Sequence, residues 1–275
     1  MIARRFAWRM GRALYTRARG EGLNDIASNG EALLQREFVA WSIRLSGRAV
    51  VFDVGANVGQ WTLSLIREAR RSHASGRIEI HAFEPEDAAF RILDECCERE
   101  SGDLRVQRAR CAMSSSDGEA TLHVAGPAAG TNSLHPDMTS PSANTASVPT
   151  CAADSYCEGN GVPEVHFFKS DTEGHDFDVL LGAQGLFDNE GIGLFQFEYN
   201  HRWIYSRRYL KDVFEFANDR PYWIGKLTRR GIEIIERWHP ELERFFETNY
   251  VLVHKDVLSG YTHRFLSLDA SNTYA

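Results

Sequence analysis

Residues 49–59, AVVFDVGANVG, decide the fold class. The apolar run at 49–54 ends in a turn with two glycines, which is typical of a buried parallel strand followed by a helix. Apolar residues then recur at helical spacing from Val58 to Ala69. Further strands are predicted at 78–83, 104–109, 165–169 and 193–199. This strand–helix alternation predicts a doubly wound α/β sheet with ligands at the carboxyl ends of its strands.

The flanking segments complete the predicted architecture. Residues 1–20 and a segment from Asn29 to near Gly47 are predicted helices, so we expect a helical extension at 1–48 and an α/β domain at 49–275. A short strand is expected at 119–124, and hairpin-like strands at 231–235 and 249–254. Residues 126–149 are rich in proline, serine and threonine, and we predict a lid or active-site loop there rather than a surface insertion.

Composition restricts the classes of function. The chain has 275 residues and a net charge of −7, but its first 48 residues carry nine arginines against four acidic residues. The acidic remainder argues against nucleic acid as a partner. Five cysteines without a C-x-x-C pair signal neither zinc nor disulfides, so we expect reduced thiols and a cytoplasmic protein. No apolar run approaches the length of a membrane span, and no signal peptide is expected.

Residues 1–20 combine six arginines with no acidic residue, and Phe6, Met10 and Leu14 recur at helical spacing. Two interpretations stay open. The favoured one is a helix packed on the body with a solvated arginine face. The alternative is an amphipathic helix that makes peripheral contact with a membrane surface.

The turn after the first strand suits a small ligand. Gly55 and Gly59 allow close approach of the backbone, and the next helix begins with unpaired N–H groups. The G-x-G-x-x-G dinucleotide fingerprint is absent. Asp53 would attract an ammonium group, and Glu84, before Pro85 at the end of the second strand, is placed to accept hydrogen bonds from ribose hydroxyls.

Ionisable residues also follow the fourth and fifth predicted strands. Asp171 and Glu173 suit cation binding, base chemistry or pairing with Lys169, and His175 has the ordinary pKa best suited to deprotonating a hydroxyl near neutral pH. Asp171 with Glu198 would offer oxygen ligands to Mg²⁺. We do not favour a metal and expect none.

The segments VFDVGANVGQWT, AFEP, CAMSSSDGEATLHV and FFKSDTEGHDFDVLLGA, in this order, resemble the FkbM-type S-adenosylmethionine-dependent methyltransferases over roughly residues 30–255. The resemblance implies a Rossmann-like class I methyltransferase fold, with a seven-stranded, mostly parallel sheet and a C-terminal antiparallel hairpin. It implies S-adenosylmethionine as cofactor and the domain at 49–275 as the methyltransferase domain. The implied cofactor-binding residues are Asp53, Gly55, Asn57, Gly59, Glu84, Pro85, Ser115, Asp117 and Asp171. Ser170 and Thr172 depart from the family pattern, which has apolar residues there.

The expected reaction is methyl transfer to a hydroxyl of a small molecule, and the resemblance implies a sugar, a glycan precursor or a natural-product scaffold. His175 or His201 is the expected base, and Asp171, Glu173 and Glu198 are expected at the reaction centre. Trp203, Tyr205 and Tyr209 form an acceptor wall or are packing residues. The alternatives are a carboxylate or amine methyltransferase, a nucleotide-dependent oxidoreductase, and a binding protein without catalytic activity.

Overall fold

The structure is a computed structural model that describes residues 2–21, 25–136, 144–269 and 273. Within these ranges, nine strands form a large sheet and three a small one. The strands are β1 (Ala49–Val54), β2 (Ile78–Phe83), β3 (Arg105–Ala109), β4 (Ala112–Met113), β5 (Gly118–Val124), β6 (Asn144–Cys151), β7 (Val165–Ser170), β8 (Ile192–Tyr199), β9 (Tyr222–Thr228), β10 (Gly231–Ile235), β11 (Thr248–His254) and β12 (His263–Leu266). The helices are α1 (Ile2–Ala18), α2 (Glu31–Ser42), α3 (Gln60–Arg71), α4 (Asp87–Glu100), α5 (Ala153–Asn160), α6 (Asp176–Gly182), α7 (Gln184–Asp188) and α8 (Leu210–Ala217).

The large sheet has the order β12-β10-β9-β11-β8-β7-β1-β2-β3. Because β1 lies between β2 and β7 and is parallel to both, the crossovers leave it in opposite directions. Val54 is paired with Phe83 on one side and with Ser170 on the other, so three strands end at the same level. The carboxyl end of β1 is therefore the topological switch point at which α/β sheets bind ligands.

Helices cover both faces of this sheet, which explains the continuous apolar runs of its central strands. Val51 and Phe167 are buried on the face under α2 and α3, whereas Phe52 and Phe168 are buried on the face under α5 to α8. The ring of Phe38 in α2 meets that of Phe167 edge-on, with centroids 5.2 Å apart. The core thus consists of two apolar layers separated by the sheet.

The predicted extension at 1–48 is not uniform. Leu34 and Phe38 of α2 are buried in the core of the sheet, whereas every residue of α1 from 3 to 15 is exposed. Among the described helices, none is long and apolar enough to cross a membrane.

The predicted seven-stranded sheet with a final hairpin is wrong in strand number and arrangement. The sheet has nine strands, and its hairpin joins β9 to β10 through Arg229 and Arg230, while β11 lies antiparallel between β8 and β9. Sequence reasoning missed β9 because Gly225 and Lys226 interrupt its apolar run. Position 225 requires glycine, because a Cβ there would lie only 2.2 Å from Cγ2 of Ile232. Lys226 is buried and its Nζ donates to the carbonyl of Arg19.

The small sheet has the order β4-β6-β5, and β5 confirms the strand predicted at 119–124. The loop predicted at 126–149 extends too far at its C-terminal end. Residues 144–149 belong to β6 and pair antiparallel with β5. Threonine and valine favour strands, and Val148 is buried, so pairing outweighs the loop-like composition. Residues 137–143 of the predicted loop lie outside the described residues.

Candidate active site

A cavity opens at the carboxyl edge of the sheet, where β1, β2 and β7 end. It encloses about 540 Å³, counting the space at its open mouth. Several residues predicted for the site lie on its wall: Gly55, Asn57, Glu84, Pro85, Asp171, Glu173 and His175. Three segments distant in the sequence therefore meet at one cavity.

The turn after β1 depends on two glycines in left-handed backbone conformations. Gly55 has a φ of 74°, and a Cβ there would lie 2.0 Å from the carbonyl oxygen of Asp171. The Asp171 N–H donates to the carbonyl of Val54 across 2.9 Å, which holds the two segments together. Gly59, with a φ of 87°, precedes α3, and a Cβ there would meet Leu93 of α4 at 2.8 Å. Gly55 thus allows contact with the segment after β7, and Gly59 allows contact with α4.

Glu84 presents a nearly buried carboxylate to the cavity. Its Oε2 accepts from the Asn57 N–H at 2.9 Å, and its Oε1 accepts from the Glu86 N–H at 2.8 Å. Burial raises the pKa of Glu84 to about 7, although these two N–H groups act in the opposite direction. Asn57 has a φ of 48°, and its buried Oδ1 has no hydrogen-bond partner among the described residues. Both side chains retain acceptor capacity for a ligand.

Asp53 does not line the cavity, because it is fully buried beneath it. Its carboxylate accepts from Thr62 Oγ1 at 2.5 Å and from Lys169 Nζ at 3.4 Å. Lys169 Nζ also donates to Asp171 at 3.3 Å. Burial opposes the charged ammonium, but Asp171 and Asp53 raise the pKa of Lys169 above its ordinary value. Asp53 therefore fixes the cation that holds Asp171 at the cavity.

Three carboxylates meet next to the cavity. Asp171, Glu173 and Glu198 each place one oxygen within 4.8 Å of the others. Arg202, which sequence reasoning missed, donates through Nη1 to Glu173 at 2.6 Å. Burial and the nearby Asp171 raise the pKa of Glu173 to about 8, and burial raises that of Glu198 well above its ordinary value. The cluster therefore favours protons or a cationic ligand.

The two predicted histidines differ in environment. Both ring nitrogens of His175 have partners, since Nε2 lies 3.0 Å from Ser114 Oγ and Nδ1 lies 3.0 Å from Nε2 of His135. Burial lowers the pKa of His175 to about 4, so the imidazole is neutral near pH 7. His201 is exposed and does not line the cavity. No local pattern indicates His135, whose contact with His175 spans 40 positions.

Neither Ser115 nor Asp117 lines the cavity. Ser115 is exposed, and Asp117 accepts from the Ala152 N–H at 2.7 Å. The apolar side chains of Met113 and Leu122 form this part of the wall. The resemblance implied Ser115 and Asp117 in this segment, and the cavity is lined instead by its apolar residues Met113 and Leu122.

Trp203 is a packing residue rather than part of an acceptor wall. It is buried, its indole N–H donates to the carbonyl of Glu198 at 2.8 Å, and its ring meets Tyr199 edge-on. Tyr205 and Tyr209 do not line the cavity. The unusual Ser170 has a buried partner, because its hydroxyl donates to Asp176 Oδ1 at 2.7 Å.

The described part of the predicted loop forms one wall of the cavity. Ala129, Asn132 and Leu134 line it. Ser133 Oγ donates to the carbonyl of Glu173 at 2.8 Å, and the Ala128 N–H donates to Glu86 at 3.1 Å. Residues from 129 to 134 thus contribute one wall of the cavity, and the role of this segment as an active-site loop or lid stays a prediction.

Three known proteins illustrate what this chain is similar to. Hexuronic acid methyltransferase AglP of Haloferax volcanii is 32% identical over 136 residues, which are 48% of this chain and 49% of that protein. The match thus spans about half of that relative. Magnesium protoporphyrin IX methyltransferase from Synechocystis PCC 6803 matches at 12% identity and a TM-score of 0.40, covering 92% of this chain and 95% of that one. A SAM-dependent methyltransferase from Agrobacterium tumefaciens matches at 9% identity and a TM-score of 0.44, covering 82% and 62%.

The model of the methyltransferase FkbM domain matches residues 53–231, which is more than half of the chain and includes every segment that contributes to the cavity. The chain therefore belongs to the FkbM methyltransferase family.

Proposed function

We propose that this chain is an S-adenosylmethionine-dependent O-methyltransferase that methylates a hydroxyl of a sugar or a related small molecule, with residues 49–275 as its methyltransferase domain. The observation that carries the proposal is one cavity that joins the glycine turn at Gly55, the Glu84 carboxylate and the carboxylates after β7.

The residues present fit S-adenosylmethionine. The buried Asn57 Oδ1 has no hydrogen-bond partner among the described residues, and Gly55 brings bare backbone to the cavity. These two residues would hold the methionine part, whose amine and sulfur are cationic and suit the acidic surroundings. Glu84 would accept hydrogen bonds from the ribose hydroxyls. Met113 and Leu122 would contact the adenine ring.

When bound, S-adenosylmethionine supplies a methyl group on a positively charged sulfur, and the chain must align an acceptor with it. An acceptor hydroxyl must also lose its proton as the new bond forms. We propose that Glu173 or Asp171 accepts this proton, since both line the cavity. With a pKa of about 8, Glu173 acts as the base in the fraction of molecules in which it is ionised, and that fraction rises with pH. His175, with a pKa near 4, is a weak base for this step. His201 stays a prediction without a contact to support it.

The proposed acceptor class draws on the hexuronic acid methyltransferase relative. A hydroxyl is favoured over a carboxylate, because burial already makes negative charge costly at this cluster and raises the pKa values of Glu173 and Glu198, so that a further anionic group is disfavoured there. The same three residues are a candidate Mg²⁺ site, since one oxygen of each lies within 4.8 Å of the others and divalent cations of this kind take oxygen ligands.

The first experiment is calorimetry of the full chain with S-adenosylhomocysteine and, separately, with NAD. The proposal requires binding of the former, and binding of NAD alone would favour the oxidoreductase alternative. The second experiment incubates the enzyme with S-adenosylmethionine and a panel of neutral sugars and uronic acids, followed by mass spectrometry.

A methylated product that survives mild alkali is an ether and supports hydroxyl methylation. A product lost in alkali is an ester and would refute the proposed acceptor group. Parallel reactions with EDTA, with and without added Mg²⁺, test whether the carboxylate cluster needs a metal.

A further inference from the structure

Helix α1 exposes apolar side chains that a helix of a soluble protein would bury. Phe6 is 66% exposed, Met10 50% and Leu14 61%. These residues are four positions apart and therefore lie on one face of the helix. An isolated helix of this length is marginally stable in water, and an unburied apolar face contributes nothing to its stability.

The contacts of α1 with the body come from its other side. Tyr15 donates its hydroxyl to Glu241 at 3.1 Å, and the guanidinium of Arg244 lies 3.9 Å from the centroid of the Tyr15 ring. Arg12 lies 5.6 Å from the ring of Phe246. At about 100° per residue, Arg12 and Tyr15 lie nearly opposite the face of Phe6, Met10 and Leu14. The body therefore holds α1 with its apolar face turned outward, which contradicts the favoured expectation of a helix packed through that face.

The charge of α1 indicates what covers this face. Within Ile2–Ala18 there are five arginines and no acidic residue. A second copy of the chain seated face to face would bring two such helices together, and their charges would repel. A bilayer with anionic headgroups attracts them instead.

We propose that α1 binds the surface of anionic lipid bilayers, lying in the plane of the interface with Phe6, Met10 and Leu14 inserted among the lipids. The segment that holds α1 also connects it to the active-site edge of the sheet. Phe245 packs on Tyr199, the last residue of β8, with ring centroids 5.4 Å apart. The lipid-binding helix is thus attached next to the strand that carries Glu198.

The test is flotation of the full chain with vesicles of phosphatidylcholine mixed with phosphatidylglycerol, and with vesicles of phosphatidylcholine alone. We expect binding to the anionic vesicles that weakens at high salt, where charges are screened. The double variant Phe6→Glu with Leu14→Glu should reduce vesicle binding by about tenfold or more, because charges replace the inserted side chains. The matched control is Ile92→Glu on α4, where the side chain is 40% exposed.

Thermal unfolding of all three proteins checks that folding is intact, which we expect because the substituted side chains are exposed. The proposal fails if the wild type does not float with anionic vesicles, or if the double variant floats as well as Ile92→Glu. It also fails if the wild type does not bind vesicles but sediments as a dimer, and the double variant sediments as a monomer. That last result would assign the apolar face to a second copy of the chain.

Discussion

Replacement of Gly55 by alanine tests whether the turn after β1 requires glycine. The φ of 74° costs a residue with a Cβ about 1–2 kcal/mol, partly offset by the smaller entropy of its unfolded chain. The new Cβ would lie 2.0 Å from the carbonyl oxygen of Asp171, where contacts under 3.0 Å essentially never occur. The backbone must therefore shift and weaken the bond from the Asp171 N–H to Val54. Strain and the weakened buried bond add about 2–4 kcal/mol.

Gly102→Ala is the matched control. Gly102 has a φ of 61°, but nothing lies within 4 Å of a Cβ placed there. We expect a cost of about 1 kcal/mol for this variant and about 4 kcal/mol for Gly55→Ala. Urea denaturation measures both, and calorimetry with S-adenosylhomocysteine should show lost binding only for Gly55→Ala, because Asp171 moves. Equal stabilities of the two variants would refute the argument from close approach.

Three further predictions concern ionisable groups of the site. Lys169→Met should lower the free energy of unfolding by about 3–5 kcal/mol in urea denaturation, because it leaves Asp53 buried without its cation. Adding Asp53→Asn should recover part of the lost stability, and no recovery would contradict the pairing of Asp53 with Lys169. Binding of S-adenosylhomocysteine should weaken by up to about tenfold per pH unit below about 7, because in the proposed complex the ribose hydroxyls donate to the Glu84 carboxylate and its protonation competes with them. Calorimetry of Glu84→Gln should show this pH dependence removed, and an unchanged pH profile would refute the proposed contact. Glu173→Gln should lower kcat by about hundredfold or more, because it removes the proposed base. His175→Gln should lower kcat much less. A larger loss of kcat for His175→Gln than for Glu173→Gln in steady-state assays would instead assign the base to His175.

The strands that form the active-site edge were predictable from local sequence. β1, β2 and β7 are apolar because helices cover both of their faces. The residues that directly follow these strands are Gly55, Glu84 and Asp171, which are flexible or polar and line the cavity. Parallel pairing places the carboxyl ends of neighbouring strands at the same edge of the sheet. It was therefore also predictable that these three segments meet at one cavity. Sequence reasoning succeeded where one element alone determines the position of a side chain.

Sequence reasoning failed where the partner of a side chain lies on an element that is distant in the sequence. Asp53 looked like a ligand-binding acid, but Lys169, 116 positions away, pairs with it below the cavity. Arg202 and His135 likewise became visible only through their contacts with Glu173 and His175. Such pairings depend on which element packs over the end of a strand, and this packing cannot be deduced from composition or local sequence.

The charge of the site gives a physical reason for a cationic cofactor. Among the described residues, the carboxylates of Asp171, Glu173 and Glu198 meet beside the cavity, and Lys169 and Arg202 each pair with one of the first two. Burial and mutual repulsion raise the pKa values of Glu173 and Glu198, which means that placing negative charge there is costly until a proton or a cation compensates it. A sulfonium or Mg²⁺ would each provide this compensation and would each lower the pKa of Glu173 when bound, but EDTA removes only Mg²⁺. An apparent pKa for activity that rises with EDTA would indicate a metal, whereas an unchanged value would indicate the sulfonium. A rate profile measured from pH 6 to 9 with and without EDTA therefore distinguishes which cation the cluster serves.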